Sequence, residues 1–353
     1  INLIPERERI KMLNFKEVKA ELNTPKKIVI IPHKTPDADA LGSSLGLRGY
    51  LIKKGHHVQV ISPTDYPKFL NWMEGNETVR IYNSDHNKEC SRKIENADIV
   101  FCLDFNNLAR IDELGLLVEK SAAKKFLIDH HLDPTCFADF SLISTDASAT
   151  AELIYEFIVK MGDRELIDKP IAECLYAGIM TDTGQFKHNN THQNVHYVTA
   201  NLMELGADTP RVASLIYDTN SYDRLKFLGF ALSQRLKYLP EYHTAYIAIN
   251  ADDLEKFNSK TGDTEGLVNY ALSLDGVVLG VLISERGGEI KLSMRSKGDF
   301  SVNEFARKHF NGGGHKNAAG GSSDVSFEET VSSFEEIIKT YKEELNQIAD
   351  AYK

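Results

Sequence analysis

Carboxylates and imidazoles gather in four short stretches of this chain. "HKTPDADA" supplies His33, Asp37 and Asp39, "FCLDFN" supplies Asp104, "LIDHHLDP" supplies Asp129, His130 and His131, and "MTDTGQF" supplies Asp182. Taken singly, each has an ordinary explanation. An aspartate after a strand commonly caps the next helix, and Asp37, Asp39 or Asp104 could do only that. Taken together, so many carboxylates in one crevice would repel one another strongly unless cations neutralised them. A mixed Asp/His donor set suits manganese, with cobalt, iron or zinc also compatible. Two imidazoles argue against magnesium alone. Two cations held roughly 3.5–4 Å apart are the usual device for phosphoryl hydrolysis. The residue types therefore point to a dinuclear metal phosphoesterase.

These groups share a site only if the elements carrying them converge. Residues 27–32 form an apolar, β-branched run, and similar runs at 57–61, 98–103 and 125–128 read as strands. Residues 38–53, 150–161, 170–180 and 193–205 have helical spacing. Strands alternating with helices predict a parallel sheet covered on both faces. Ligands of such sheets sit beyond the carboxyl ends of the strands, where three of the four stretches fall, and the fourth ends a helix. Gly42, Gly46 and Gly49 read as small residues that let a helix sit close to the sheet. A dinucleotide fingerprint would need them in the strand–helix turn itself.

From about Leu225 the texture changes. A long helical segment to about Tyr238 precedes strand-like runs at 244–250, 276–284 and 289–294. A glycine-rich loop, "FNGGGHKNAAGG", and an amphipathic helix over 327–351 follow. The expected architecture is α/β, a parallel sheet flanked by helices over residues 1–220, plus a smaller α+β C-terminal domain over 221–353. The active site is expected in a cleft between them.

A length of 353 residues suits two domains, and 42% hydrophobic residues supply cores for both. No stretch approaches the roughly 18 apolar residues that span a bilayer, so no membrane partner is expected. No secretory leader opens the sequence, and Cys90, Cys102, Cys136 and Cys174 lack paired spacing. A reducing, cytoplasmic setting is expected. The net charge of −10 argues against coating long duplex nucleic acid. It leaves a small phosphate substrate open, because carboxylates that hold cations add to the acidic count.

In order along the chain, the four acidic and histidine stretches resemble the four motifs of the DHH phosphoesterase family. "GGGHKNAAGG" resembles the glycine-rich signature of that family's associated C-terminal domain. Together they cover nearly the whole chain. The overall size resembles the branch of nanoRNases, which hydrolyse short oligoribonucleotides and act as phosphatases on 3′-phosphoadenosine 5′-phosphate (pAp). The resemblance implies two divalent cations, most readily Mn2+. His33 and Asp37 would hold one, Asp104 would bridge, and Asp39, His130 and Asp182 would complete the second site. Asp129 would orient His130 through its other ring nitrogen, and His131 would face the scissile phosphate. In the C-terminal domain, Arg295, Ser296 and His315 would bind substrate, with backbone N–H groups of Gly312, Gly313 and Gly314 open to an anion.

This chain departs from the family pattern at Lys187, His188 and Lys316, none of them a metal ligand. His192 and His196 read as solvated helix residues. Within the family, a single-strand exonuclease would carry further nucleic-acid-binding domains and a basic groove, and a membrane-bound cyclic-dinucleotide hydrolase would need transmembrane helices. A soluble (cyclic) dinucleotide phosphodiesterase remains an alternative. A non-catalytic nucleotide-binding module would lack a ligand, yet every implied position is filled. Short RNA oligonucleotides or small nucleotides are the expected partners, and a homodimer is compatible with the helices.

Overall fold

The run KIVIIP forms a strand whose side chains alternate between two cores. Ile28 and Ile30 pack into one, Val29 and Ile31 into the other. A strand buried on both faces must be apolar throughout, which is why it reads as an unbroken β-branched run. In this computed structural model the described residues are 12–260 and 262–352. The chain divides into two compact units that part between Thr219 and Asn220.

The first unit contains α1 (Phe15–Glu21), β1 (Lys27–Pro32), α2 (Ala38–Lys53), β2 (His57–Ser62), β3 (Arg80–Ile81), α3 (Asn87–Glu95) and β4 (Ile99–Leu103). It continues with α4 (Glu113–Lys120), β5 (Lys124–Asp129), β6 (Phe140–Ile143), α5 (Thr150–Met161), α6 (Lys169–Asp182), α7 (Gln193–Glu204) and α8 (Thr209–Tyr217). Among the described residues its strands form one parallel sheet in the order β3-β2-β1-β4-β5-β6. The order reverses between β1 and β4, so a crevice opens at their carboxyl ends.

Helix α2 lies against α6, and the glycines are the reason. A Cβ on Gly42 would stand 2.4 Å from the Cys174 carbonyl oxygen, and one on Gly46 would stand 2.7 Å from the Leu175 side chain. The close partner is thus a helix and not the sheet expected from the spacing. This contact brings the start of α2 and the end of α6 to the same edge of the sheet.

The second unit contains α9 (Tyr222–Phe230), β7 (Leu236–Leu239), β8 (Thr244–Ile249), α10 (Ala251–Lys256), α11 (Leu267–Leu272) and β9 (Leu279–Arg286). After these come β10 (Glu289–Ser296), α12 (Val302–His309), β11 (Gly313–His315), β12 (Ala318–Ser323), α13 (Phe327–Lys339) and α14 (Lys342–Tyr352). Its mixed sheet has the order β11-β12-β10-β9-β8-β7, with β8 and β9 parallel.

Three expectations change here. The segment from Leu225 to Tyr238 is not one helix. It ends at Phe230, widens into a π-type turn and becomes the edge strand β7, and Arg235 at the end of that turn makes a two-pronged ion pair with Asp253 at 2.7 and 2.8 Å. The glycine-rich stretch is not a loop but the β11–β12 hairpin. The final helix breaks at Thr340, whose hydroxyl bonds the Ile337 carbonyl, while Tyr341 turns onto the rings of Phe300 and Phe305. Among the described residues no helix is long and apolar enough to cross a membrane.

Candidate metal centre

Each acidic or histidine stretch falls where an element ends at one edge of the first sheet. His33 follows β1, Asp104 follows β4, and Asp129 closes β5 with His130 and His131 directly after it. Asp182 is the last residue of α6, where the helix dipole adds partial negative charge to the carboxylate and so favours a cation. Asp37 caps α2 as expected of a lone aspartate, its Oδ1 accepting from the Asp39 and Ala40 N–H groups at 3.0 Å. Its Oδ2 remains turned to His33 Nε2 at 3.8 Å.

Asp104 is the centre of the arrangement. Its Oδ2 lies 3.4 Å from His33 Nε2 and its Oδ1 lies 3.3 Å from His130 Nε2. His130 Nε2 also meets Asp182 Oδ2 at 3.3 Å and Asp39 Oδ2 at 3.7 Å. Ligand atoms of His33, Asp37 and Asp104 lie within 4.8 Å of one another, as do those of Asp39, Asp104 and His130. Five of the six residues assigned to cation binding thus form two groups that share Asp104, and the sixth, Asp182, adjoins the second through His130. Asp104 also has φ +64, the left-handed region that disfavours an L residue, and such strain concentrates at functional sites.

Burial and mutual repulsion set the protonation of this cluster. Burial, the Asp104 charge and other neighbouring carboxylates push Asp39 well above the usual carboxylate range, and burial with Asp39 and Asp37 does the same to Asp182. Burial alone would lower His33, yet the Asp104 and Asp37 carboxylates outweigh it and hold the ring at about 9. His130 is raised in the same way, against its burial, by Asp104, Asp182 and Asp39. Burial would also raise Asp104, but His130 and His33 overcome it and hold the carboxyl well below its usual range. The cluster gathers protons to balance its negative charge, and divalent cations would replace them on the same donor atoms. The donor set thus fits a metal pair.

Asp129 does not orient His130. Its Oδ1 accepts from His131 Nδ1 at 2.8 Å, whereas His130 Nδ1 takes the Ala147 carbonyl at 3.2 Å. The reason is strand geometry. Residues two apart point the same way and neighbours point oppositely, so the Asp129 side chain sides with His131.

Several residues around the cluster had no prior assignment. Asp39 accepts the Thr150 N–H on Oδ2 at 2.7 Å and the Ala151 N–H on Oδ1 at 2.8 Å, capping α5 from a distant part of the chain. The Thr150 hydroxyl donates to Asp104 Oδ1 at 2.9 Å. Asn190 donates to the carbonyls of Asp182 and Ser148 at 3.2 Å each. Buried Glu152 accepts from the Ser148 N–H and hydroxyl and from Asn194. His192 is half-buried rather than solvated, with Nε2 3.9 Å from Glu152.

The assigned residues of the second unit divide. Arg295 and His315 are both registered to Ala318 across β10, β12 and β11, so the two share one face of that sheet. Ser296, next along the strand, points to the other face and is buried. Its hydroxyl donates to the Phe300 carbonyl at 2.6 Å and accepts from Asn317, which corrects its assignment to substrate. Gly312 and Gly314 are glycine because a Cβ would stand 2.1 Å from the Gly320 carbonyl oxygen and 2.6 Å from that of Ala318. The Gly314 N–H is donated to Asn303 Oδ1 at 2.9 Å, so it is not open to an anion. Gly313 pairs with Gly320 in the hairpin. The departing residue Lys316 reaches Asp299 at 2.7 Å.

Comparison with known proteins accords with this geometry. Residues 27–179 match the model of the DHH family, N-terminal domain, and residues 241–347 match the DHHA1 domain. A probable bifunctional oligoribonuclease and PAP phosphatase NrnA of Streptococcus mutans is 29% identical, over 88% of this chain and 94% of that protein. The bifunctional oligoribonuclease and PAP phosphatase NrnA of Bacillus subtilis is 29% identical, over 84% of this chain and 88% of that protein. A crystal structure of an exopolyphosphatase-related protein from Bacteroides fragilis superposes with a TM-score of 0.89 at 38% identity, covering 94% of this chain and 97% of that one. With both domain models matched in order, and with homology running over most of the length of each relative, the chain belongs to the DHH family of phosphoesterases.

Proposed function

We propose that this chain is a dinuclear metal phosphoesterase acting on short oligoribonucleotides and on pAp. The observation that carries the reading is Asp104, with Oδ2 toward His33, which groups with Asp37, and Oδ1 toward His130, which groups with Asp39 and meets Asp182. A single carboxylate facing two donor groups is the arrangement a pair of cations requires. When bound, two divalent cations, most readily Mn2+, would supply an ionised water nucleophile and neutralise phosphoryl oxygens.

The chain's own residues then have distinct tasks. His33 and Asp37 would hold one cation, Asp39, His130 and Asp182 would hold the other, and Asp104 would serve both. His131 faces the phosphoryl group. With its Nδ1 donating to Asp129, the ring is fixed in orientation. In the C-terminal domain, Arg295 and His315 on their shared sheet face bind the remaining phosphate of the substrate. The net charge of −10 favours small substrates, since a long polyanion would meet repulsion along most of its length. The two NrnA relatives carry names for the same pair of activities. A cytoplasmic setting goes with such substrates.

The test is side-by-side hydrolysis with Mn2+ of pAp, a dinucleotide, a short RNA, a long RNA, single-stranded DNA, a cyclic dinucleotide and pyrophosphate. The reading expects turnover of pAp and the short RNAs, lost in Asp104→Ala and on chelation. Preference for long DNA, the cyclic dinucleotide or pyrophosphate would keep the chemistry and discard the substrate class. Bound metal without turnover of any substrate would overturn the reading.

A further inference from the structure

Thr150 touches Asp104, the carboxylate that both donor groups share, and Asp39 of the second group. Its N–H donates to Asp39 Oδ2 at 2.7 Å and its hydroxyl donates to Asp104 Oδ1 at 2.9 Å. All three residues are buried. Asp104 Oδ1 is the oxygen that faces His130, so the hydroxyl acts on the carboxylate shared by both groups.

We propose that Thr150 is a positioning residue of the metal centre, locking the rotation of the Asp104 carboxylate so that one oxygen serves each group. The inference rests on the dinuclear reading. The torsion about the Cβ–Cγ bond of an aspartate is soft, with broad wells. A carboxylate required to face two ways therefore needs a fixed donor on one oxygen. Thr150 is suited to that. It is β-branched, so its χ1 is stiff, and its backbone is anchored by Asp39 at the first turn of a long buried helix. An ordinary helix cap does not explain the contact. The N-cap position of α5 is Ala149, and the Thr150 hydroxyl leaves its own helix to reach Asp104.

The experiment is calorimetric titration of Mn2+ into metal-free protein, with a thermal melt of each metal-free variant. Thr150→Val removes the hydroxyl and little else, and keeps the amide bond to Asp39. It should weaken Mn2+ binding by about 10–100-fold, the usual effect of losing a residue that orients a ligand. The metal-free melting temperature should stay within a few degrees, and Thr150→Ser should restore most of the affinity. Should valine not fold, Thr150→Ala is judged by the same criteria, since it adds no atoms to a packed site. Wild-type affinity in the hydroxyl-free variant would overturn the proposal, and so would equal losses in the serine and valine variants. Wild-type protein that fails to bind Mn2+ would remove the dinuclear reading itself. Binding by wild type and valine variant alike removes only the role of Thr150.

Discussion

Asp129 Oδ1 lies 2.8 Å from Nδ1 of His131, while the adjacent His130 turns away and leans on a backbone carbonyl. The three consecutive residues thus belong to two subsystems. His130 joins the cluster of carboxylates, and buried Asp129 with half-buried His131 forms an acid–imidazole pair beside it, the His131 Nδ1 also lying 3.6 Å from Asp104 Oδ1. Asp129 is fully buried, so it can hold the ring in one orientation without competition from water.

This pairing gives the first prediction. Asp129→Ala should lower turnover of pAp by about 10–100-fold, as loss of an orienting partner usually does, with Asp129→Asn in between. Mn2+ affinity should change little, because His130 keeps its own backbone partner. In the double variant Asp129→Ala/His131→Ala the Asp129 substitution should cost almost nothing once His131 is alanine, since Asp129 acts through that ring. Steady-state kinetics of the four-member cycle checks this. Losses that multiply independently would separate Asp129 from His131.

A second prediction concerns the turn after Asp182. Gly184, Gln185 and Phe186 all have positive φ, at +55, +61 and +64. Gln185 is exposed, whereas Phe186 stacks on His196 with ring centres 5.6 Å apart. The left-handed conformation costs an L residue roughly 1–2 kcal/mol, and glycine costs about 0.5–1 kcal/mol in backbone entropy. Gln185→Gly should therefore leave stability unchanged or raise it by up to about 1 kcal/mol. Denaturant titration of the metal-free protein is the measurement. A clear loss would show that Gln185 makes contacts worth more than its backbone strain.

Two glycines make the third prediction a matched pair. Gly42 faces the backbone of α6, where an added Cβ would meet the Cys174 carbonyl oxygen at 2.4 Å. Gly229 lies inside α9 with nothing within 4 Å of such a Cβ. Gly42→Ala should cost roughly 1–3 kcal/mol by overpacking, and should also weaken Mn2+ binding, because α2 and α6 carry Asp37, Asp39 and Asp182. Gly229→Ala should stabilise by roughly 0.5–1 kcal/mol, the ordinary helix preference for alanine. Thermal and denaturant unfolding of both variants decides the point. A neutral Gly42→Ala would mean that the two helices can part without consequence.

The sequence revealed the cluster because parallel sheets impose strict rules. Strands buried on both faces leave apolar runs, and whatever polar residues follow them must gather at the carboxyl edge. His33, Asp104 and Asp129 could be placed by that rule alone. The partner of Asp129 was misjudged because adjacency in sequence was taken for adjacency in space, where a strand alternates. Thr150 and Asn190 were invisible for a different reason. Their side chains bond carboxylates or carbonyls far away in sequence, and nothing in the local pattern distinguishes them from ordinary helix-start and turn residues. In the second unit, the triple glycine was read as freedom, but the structure uses it for closeness. Gly312 and Gly314 let two strand backbones meet where any side chain would collide.

The last prediction follows from a histidine remote from the cluster. His56 is buried, and its Nδ1 accepts the Lys26 N–H at 3.2 Å, so the ring is held neutral. Burial, with Lys54 and Lys26 nearby, lowers its pKa below the ordinary 6.5. The unfolded chain therefore binds a proton at His56 more readily than the folded one. Above pH 6.5 both states are neutral there and the folded state keeps the full benefit. As pH falls below 6.5 the unfolded state is favoured, and stability drops until the folded ring also protonates. His56→Asn places an amide oxygen near the position of Nδ1, keeps the acceptor for Lys26, and cannot titrate. The difference in unfolding free energy between wild type and His56→Asn should thus shift against wild type between pH 7 and about pH 5. Taking the difference cancels the groups of the metal cluster, which titrate in both proteins. Denaturant unfolding at several pH values measures it, and parallel pH profiles for the two proteins would show that His56 is not held neutral.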